Sequence, residues 1–444
     1  MVLIFAAPAA VVACFVPFIG LVAIPFIPFF LIGAIYSLTW CIYLVLAQQD
    51  RPPYAVIGTP SIAKYIPFIP LSPVRCLKVV KSSLMYAWAL SGFTWVVIDW
   101  YMQYRRIRAL AAKNKPICDT VVYSIPFSHQ RLDVYLPKKA TTILSQQGPL
   151  AGLGLNTGHP VLVFVPTATL PVNIVSHRQT YLQLALRMRD LGFCVVIPEI
   201  TYYPDDRIRQ SVVDLRLALS WVGAHISSYG GDPSRIYVMG FGLSSALITL
   251  TLVQEAAVLS QTVVDEESDD EENPTRIKTE NYLRQLEIYA PQIRLPNLAG
   301  VILIAGLSDV VKGYLHEAKL GIEHLSVLRR WAGPKTTQCL LHSPTHILTH
   351  TESTFDAAFL PPKFLLIHGG QDTLVPISHS TLLKALLQKA GVPQVELLAY
   401  RDLTHLDTLK CLLTPSMGQK SSCGHQMIEA IQKFMTGDNV LVTH

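Results

Sequence analysis

Residues 1–49 carry no charged side chain and no histidine. A helix that spans a bilayer needs ~20 apolar residues, so this run has room for two, with a break expected around Pro25 and Pro28. A cleaved secretory leader would open with positive charge and hold an apolar core of only ~7–15 residues. This run does neither, and insertion in a membrane is the expectation. Composition agrees: half of the 444 residues are apolar and only 15% are charged, with a mean hydropathy of +0.36. That balance points to lipid contact somewhere in the chain.

A second apolar segment, 82–98, is flanked by Arg75, Lys78 and Lys81 before it and by Arg105, Arg106 and Arg108 after it. It and its flank hold Tyr86, Trp88, Trp95, Trp100 and Tyr101. At 17 charge-free residues it could barely span, and its aromatic, doubly basic flanks equally suit a helix lying at the interface. The two arrangements put the rest of the chain on opposite sides of the bilayer. A hairpin in 1–49 with a surface-lying second segment keeps every basic stretch cytosolic, and is preferred. Residues 1–115 are thus read as a membrane region, with an aromatic-basic helix over 82–108, and 116–444 as a globular domain.

The net charge of +5 is modest, and no dense Lys/Arg tract with interleaved aromatics supports nucleic-acid binding. The eight cysteines (Cys14, Cys41, Cys76, Cys118, Cys194, Cys339, Cys411 and Cys423) are scattered, without the spacing of a metal site. No Asn-x-Ser/Thr sequon occurs. These features fit a globular part facing the cytosol, on the endoplasmic reticulum or a lipid droplet. No Walker loop or dinucleotide fingerprint is present, so no cofactor is expected.

After Pro116 the pattern changes to short β-rich runs at 120–125, 131–136, 160–165, 194–198, 235–241, 300–305, 364–368 and 395–400. The later runs are continuous Val/Ile/Leu blocks, as in parallel strands covered on both faces. Helical periods lie between them, for instance Ile208, Val212, Leu215, Leu219 and Val222. Eight strands with helices between the later ones predict a doubly wound α/β sheet. Residues 261–274 include Asp265-Glu266-Glu267-Ser268-Asp269-Asp270-Glu271-Glu272, a run read as a solvated loop. Ser268, with acidic residues after it, is a candidate phosphorylation site, and the loop a candidate protein contact. Residues 307–347 are long enough for a helical cap.

Two motifs suggest a catalytic centre. His368-Gly369-Gly370-Gln371-Asp372-Thr373-Leu374-Val375-Pro376 follows a buried run and opens a helix, which suits an acid that orients a histidine. Thr404-His405-Leu406-Asp407 follows the last strand, where such a histidine would lie. A third stretch, Tyr229-Gly230-Gly231-Asp232-Pro233-Ser234-Arg235-Ile236-Tyr237-Val238-Met239-Gly240-Phe241-Gly242, resembles the approach to the nucleophile elbow of isoprenylcysteine carboxyl methylesterases and related membrane-associated esterases and lipases. The resemblance runs from about 160 to 409. It implies the α/β-hydrolase fold, with Asp372 and His405 as the acid and base of a triad.

In those families the elbow reads Gly-x-Ser-x-Gly, and by spacing the serine position here is Gly242. A second register, Gly242-Leu243-Ser244-Ser245-Ala246, would make Ser244 the nucleophile if strand five ran two residues longer. The turn after the third strand, Val165-Pro166-Thr167-Ala168-Thr169-Leu170-Pro171, lacks the glycines of the family's oxyanion turn. Thr167, Ala168 and Leu243 are the oxyanion candidates. Two readings stand at this point. One is a membrane-anchored carboxylic-ester hydrolase with the triad Ser244-Asp372-His405 and a lipophilic ester substrate. The other is a hydrolase fold with Gly242 at the nucleophile position, binding a lipid or a protein.

Overall fold

A computed structural model describes residues 26–46, 70–111, 117–123, 130–137, 158–167, 177–267, 286, 288–333, 335–352, 355–414 and 421–437. Ala168 and Ser268 lie outside these residues. Eight strands form one sheet: β1 (Cys118–Val122), β2 (Arg131–Tyr135), β3 (His159–Val165), β4 (Cys194–Pro198), β5 (Gly231–Phe241), β6 (Gly300–Ile304), β7 (Lys363–Gly369) and β8 (Gln394–Tyr400). Their spatial order is β1-β2-β4-β3-β5-β6-β7-β8. The β1/β2 and β2/β4 pairs are antiparallel, and every other pair is parallel. This is the mixed sheet of the α/β-hydrolase fold.

Strands β3, β4, β6 and β7 are buried on both faces along most of their length, which is why they read as Val/Ile/Leu-rich blocks. Along β3, Val161, Val163 and Val165 enter one core while Leu162 and Phe164 enter the other, the two-residue period of a strand. Helices cover both faces. Among the described residues, three precede the sheet: α1 (Ile27–Leu46), α2 (Pro73–Ser91) and α3 (Thr94–Ala111). Within the sheet region follow α4 (Leu182–Asp190), α5 (Ile208–His225) and α6 (Leu243–Glu267). Between β6 and β7 lie α7 (Val310–Leu320), α8 (Leu328–Ala332), α9 (Thr336–Leu341) and α10 (Pro344–His350), the helical insertion over the site. The series closes with α11 (Ser378–Lys389), α12 (His405–Leu413) and α13 (Ser421–Thr436).

Two expectations need correction. The helix expected over 82–108 is two helices, α2 and α3, broken at Ser91-Gly92. There the Ser91 hydroxyl donates to the Trp88 carbonyl at 2.6 Å and the Thr94 hydroxyl donates to the Ser91 carbonyl at 2.7 Å. Side chains that bond the local backbone compete with the helical ladder, and glycine adds conformational freedom. The acidic stretch was expected to be loop from residue 261, yet α6 continues through Glu267. Apolar residues such as Leu252, Val253, Ala256 and Ala257 pack the preceding turns of this helix into the core.

Helices α2 and α3 dock on the sheet domain while keeping an apolar outer face. The Ser82 hydroxyl donates to the Leu320 carbonyl at 3.0 Å, and Arg75 pairs with Glu323. On α3, Trp100 Nε1 donates to the Gln179 carbonyl at 2.8 Å. Outward-facing Leu84, Met85, Trp88 (82% exposed), Trp95 (68%), Ile98 and Met102 lie on the other side. Helix α1 is apolar along its length and long enough to cross a membrane, and little of it is buried. Its end is held by Tyr43, which packs with Val79, Ile322 and Leu325.

Candidate active site

The turn between β5 and α6 carries the site. Gly240 sits where an added Cβ would lie 2.6 Å from Ile248 Cδ1 and 2.9 Å from the Ser245 nitrogen, so only glycine fits without displacement. Gly242 has φ +59°, the left-handed conformation that suits glycine and that a nucleophile elbow imposes on its central residue. Its N–H donates to the Ile304 carbonyl at 2.9 Å, and its carbonyl accepts from the Leu307 N–H at 3.3 Å. The turn is therefore pinned to β6 and to the segment that follows it.

A Cβ added at Gly242 would lie 3.6 Å from His405 Nε2, 3.7 Å from His405 Cε1 and 3.7 Å from Thr167 Oγ1. Gly242 thus occupies the position from which a serine would face the imidazole. The alternative register, with Ser244 as nucleophile, is corrected by the chain path. Strand β5 ends at Phe241 and α6 begins at Leu243, so the two extra strand residues that register needs are absent. The Ser244 hydroxyl accepts from the Phe241 N–H at 2.9 Å and donates to the Phe241 carbonyl at 3.0 Å. Ser245 is likewise turned inward, donating to the Gly240 carbonyl at 2.9 Å. Both hydroxyls serve the turn itself.

The acid and the base meet. His405 opens α12, whose start is fixed by Thr404: its hydroxyl accepts from the Asp407 N–H, and the Asp407 carboxylate returns to Thr404. His405 Nδ1 lies 2.7 Å from Asp372 Oδ2, and Phe241 packs its ring 4.7 Å from the imidazole. Asp372 sits on the loop after β7, with its side chain fully buried. Its Oδ1 accepts from the Leu374 and Val375 N–H groups at 2.9 and 2.8 Å. Burial alone would raise the Asp372 pKa, yet the His405 charge and the hydrogen bonds from His368, His405 and Val375 hold it well below the usual carboxylate range. An ionised, fully bonded carboxylate fixes the imidazole tautomer that leaves Nε2 facing Gly242. Among the described residues no hydroxyl is hydrogen-bonded to Nε2.

Of the oxyanion candidates, Thr167 is buried, and its hydroxyl accepts from the Ser244 N–H at 3.4 Å. Thr167 and Leu243 both line the pocket in front of His405. Pro166, just before Thr167, has no N–H to offer. The pocket, a cavity of about 90 Å3, is also lined by Tyr86 from α2, by Glu317 and Ser326 from the insertion, and by Leu374. Sequence reasoning missed three of these participants. His368 is a second partner of Asp372 at 3.5 Å. Tyr86 stood in a segment read only for membrane contact, and Glu317 stands in no motif. No group of three or more His, Cys, Asp or Glu side chains able to hold a metal occurs among the described residues.

Comparison with known proteins gives a consistent picture. The family model BD-FAE matches residues 154–387. A probable isoprenylcysteine alpha-carbonyl methylesterase of Oryza sativa is 24% identical over 326 residues, covering 73% of this chain and 64% of that protein. A probable carboxylic ester hydrolase of Mycobacterium tuberculosis, LipM, is 26% identical over 197 residues, 44% of this chain and 38% of its own length. The chain spans less than two thirds of these curated relatives. Among solved structures, esterase B of Lactobacillus rhamnosis aligns with a TM-score of 0.49 at 14% identity, covering 79% of this chain and 96% of that one.

Proposed function

The chain belongs to the BD-FAE family and has the fold of a carboxylic-ester-hydrolase-type α/β hydrolase; from that premise we propose that it is a membrane-held binding module for lipophilic esters that has lost its serine nucleophile. The observation that carries this reading is Gly242, at φ +59° and facing His405 Nε2, where the reacting hydroxyl would stand. The glycine-free turn at Pro166-Thr167 supports it, because the stabilisation of a developing oxyanion is reduced at the same site. An apolar ligand is supported by the pocket walls, and by relatives whose names specify esters of isoprenylcysteine. Membrane attachment is supported by α1 and by the outward apolar face of α2 and α3. The missing sequons and free cysteines suit a cytosolic face, as on the endoplasmic reticulum or a lipid droplet.

The retained Asp372–His405 pair favours one second reading. A water in the space beside Gly242 could attack the ester carbonyl, with His405 taking its proton and returning it to the leaving alkoxide. The experiment is to incubate the full-length protein, in vesicles, with a pyrene-labelled long-chain methyl ester and to follow binding and products together. Saturable binding with the ester recovered intact is the expected result. Turnover at an ordinary enzymatic rate, ~1 s⁻¹ or faster, would overturn the binding-module reading. Slow hydrolysis that disappears in His405→Ala and persists in Ser244→Ala would instead establish the water route.

A further inference from the structure

A second cavity lies beside the pocket that faces His405. It measures about 290 Å3, and its walls include Leu46 of α1, Ser83 and Leu90 of α2, and Leu325 of the insertion. Tyr86, Ile322 and Leu374 line both cavities, so the two share a wall. Leucine, isoleucine and alanine side chains make most of these walls, and such a surface favours an apolar guest. It lies between α1, α2 and the insertion, and on the outer face of α2 Leu84, Met85 and Trp88 are exposed.

Glu317, which lines the first pocket, carries an unmet polar atom. The residue as a whole is partly buried, and its Oε2 is fully so. Oε1 accepts from the Ser326 hydroxyl at 2.6 Å, and Oε2 has no hydrogen-bond partner. Burial pushes the Glu317 pKa up to about 8, against the pull of Ser326 and Arg330. A neutral carboxyl in that setting offers an O–H and calls for an acceptor. A fatty-acid anion is a poor candidate. Arg330 is engaged by the Glu323 and Ser326 carbonyls, and Asp372, bonded to the His405 that lines the same pocket, is ionised.

We propose that the two cavities form one bipartite site for an uncharged long-chain ester, its chain lying between α2 and residues 322–325 and its carbonyl oxygen accepting from Glu317. The proposal rests on the lipid-ester reading above and deepens it by naming the residues that select the ligand. It makes the membrane-side helices part of the binding site as well as an anchor, with the chain reaching the pocket from the lipid side.

The test uses the full-length protein in phosphatidylcholine vesicles with methyl palmitate bearing a mid-chain diazirine. Irradiation should label peptides containing residues 73–91 and 322–325. Ser83→Trp and Ala87→Phe fill the chain cavity, and each should cut that labelling at least tenfold while circular dichroism stays unchanged. Glu317→Ala should cut ester labelling about fivefold to tenfold, as expected for one lost hydrogen bond. Glu317→Gln, whose amide still donates, should restore it. The corresponding photoreactive free acid should label at least tenfold less than the ester. Equal labelling by acid and ester, or labelling unchanged in both folded cavity-filling variants, overturns the proposal. Labelling confined to peptides around 326–328 and 405–407 also overturns it but leaves the lipid-ester reading standing. Absence of saturable labelling anywhere overturns both.

Discussion

Substituting Gly242→Ser returns a hydroxyl to the turn, and both its cost and its effect follow from the geometry. The added Cβ meets nothing closer than 3.6 Å, so the side chain enters at ordinary van der Waals distance. What remains is backbone strain. An L-residue at φ +59° costs ~1–2 kcal/mol, which in a large domain lowers Tm by about 2–5 °C. From a Cβ 3.6 Å from His405 Nε2, the serine oxygen comes within the ~2.6–3.2 Å reach of a nucleophile and its base. The variant should therefore react with a fluorophosphonate and release nitrophenol from a nitrophenyl ester. One missing oxyanion donor costs ~10²–10³ in kcat, so turnover of about 0.01–0.1 s⁻¹ is expected against the ~10 s⁻¹ of a typical enzyme. A fall in Tm beyond about 10 °C would show that the turn has no room. A folded variant that stays unreactive would show that His405 is not poised over residue 242.

Asp372→Asn should destabilise the fold by about 1.5–3 kcal/mol in urea at pH 7, because it weakens the buried hydrogen bonds that the carboxylate accepts from His405, Leu374 and Val375. The Asp372 pKa is depressed in the folded state, so its contribution is present above pH ~4 and lost as pH falls below it; acid unfolding should be less steep in the variant. Glu317 has the opposite sign. Its folded pKa is raised, so wild-type stability should decline between about pH 4.5 and about 8, and Glu317→Gln should flatten that decline and gain on wild type as pH rises. Deleting residues 1–49 should weaken membrane attachment without abolishing it, since the exposed Trp88 and Trp95 face remains; full solubility after carbonate extraction would show that α2 and α3 hold no lipid.

The parts of this structure that the sequence discloses are those where one physical demand dominates. Strand segments covered on both faces are apolar at nearly every position, so β3, β4, β6 and β7 stand out as Val/Ile/Leu-rich blocks. Gly240 is required by its close approach to Ile248, and Gly242 by its positive φ. Together they make the spacing from Asp232 legible. Asp372 and His405 stand at strand ends, where loop position narrows the possibilities. Glu317 was invisible because its environment is built by tertiary contacts: Ser326 lies nine residues away, and the pocket is completed by α2 from more than two hundred residues earlier. The break between α2 and α3 depends on hydroxyl bonds to local carbonyls, which an apolar period does not reveal. The extension of α6 into the acidic run was hidden for a related reason, since packing upstream carries a helix past the point where composition turns against it.

The central claim is that residue 242 holds the nucleophile position and that no serine in the natural protein is activated by His405. The most direct measurement is fluorophosphonate labelling of the full-length natural protein beside Ser244→Ala and Gly242→Ser, read by intact-protein mass. The account predicts no adduct on the natural protein or on Ser244→Ala, and a single adduct on Gly242→Ser. An adduct on the natural protein that vanishes in Ser244→Ala would contradict it, and would assign the catalytic hydroxyl to a residue that this structure turns toward the Phe241 backbone.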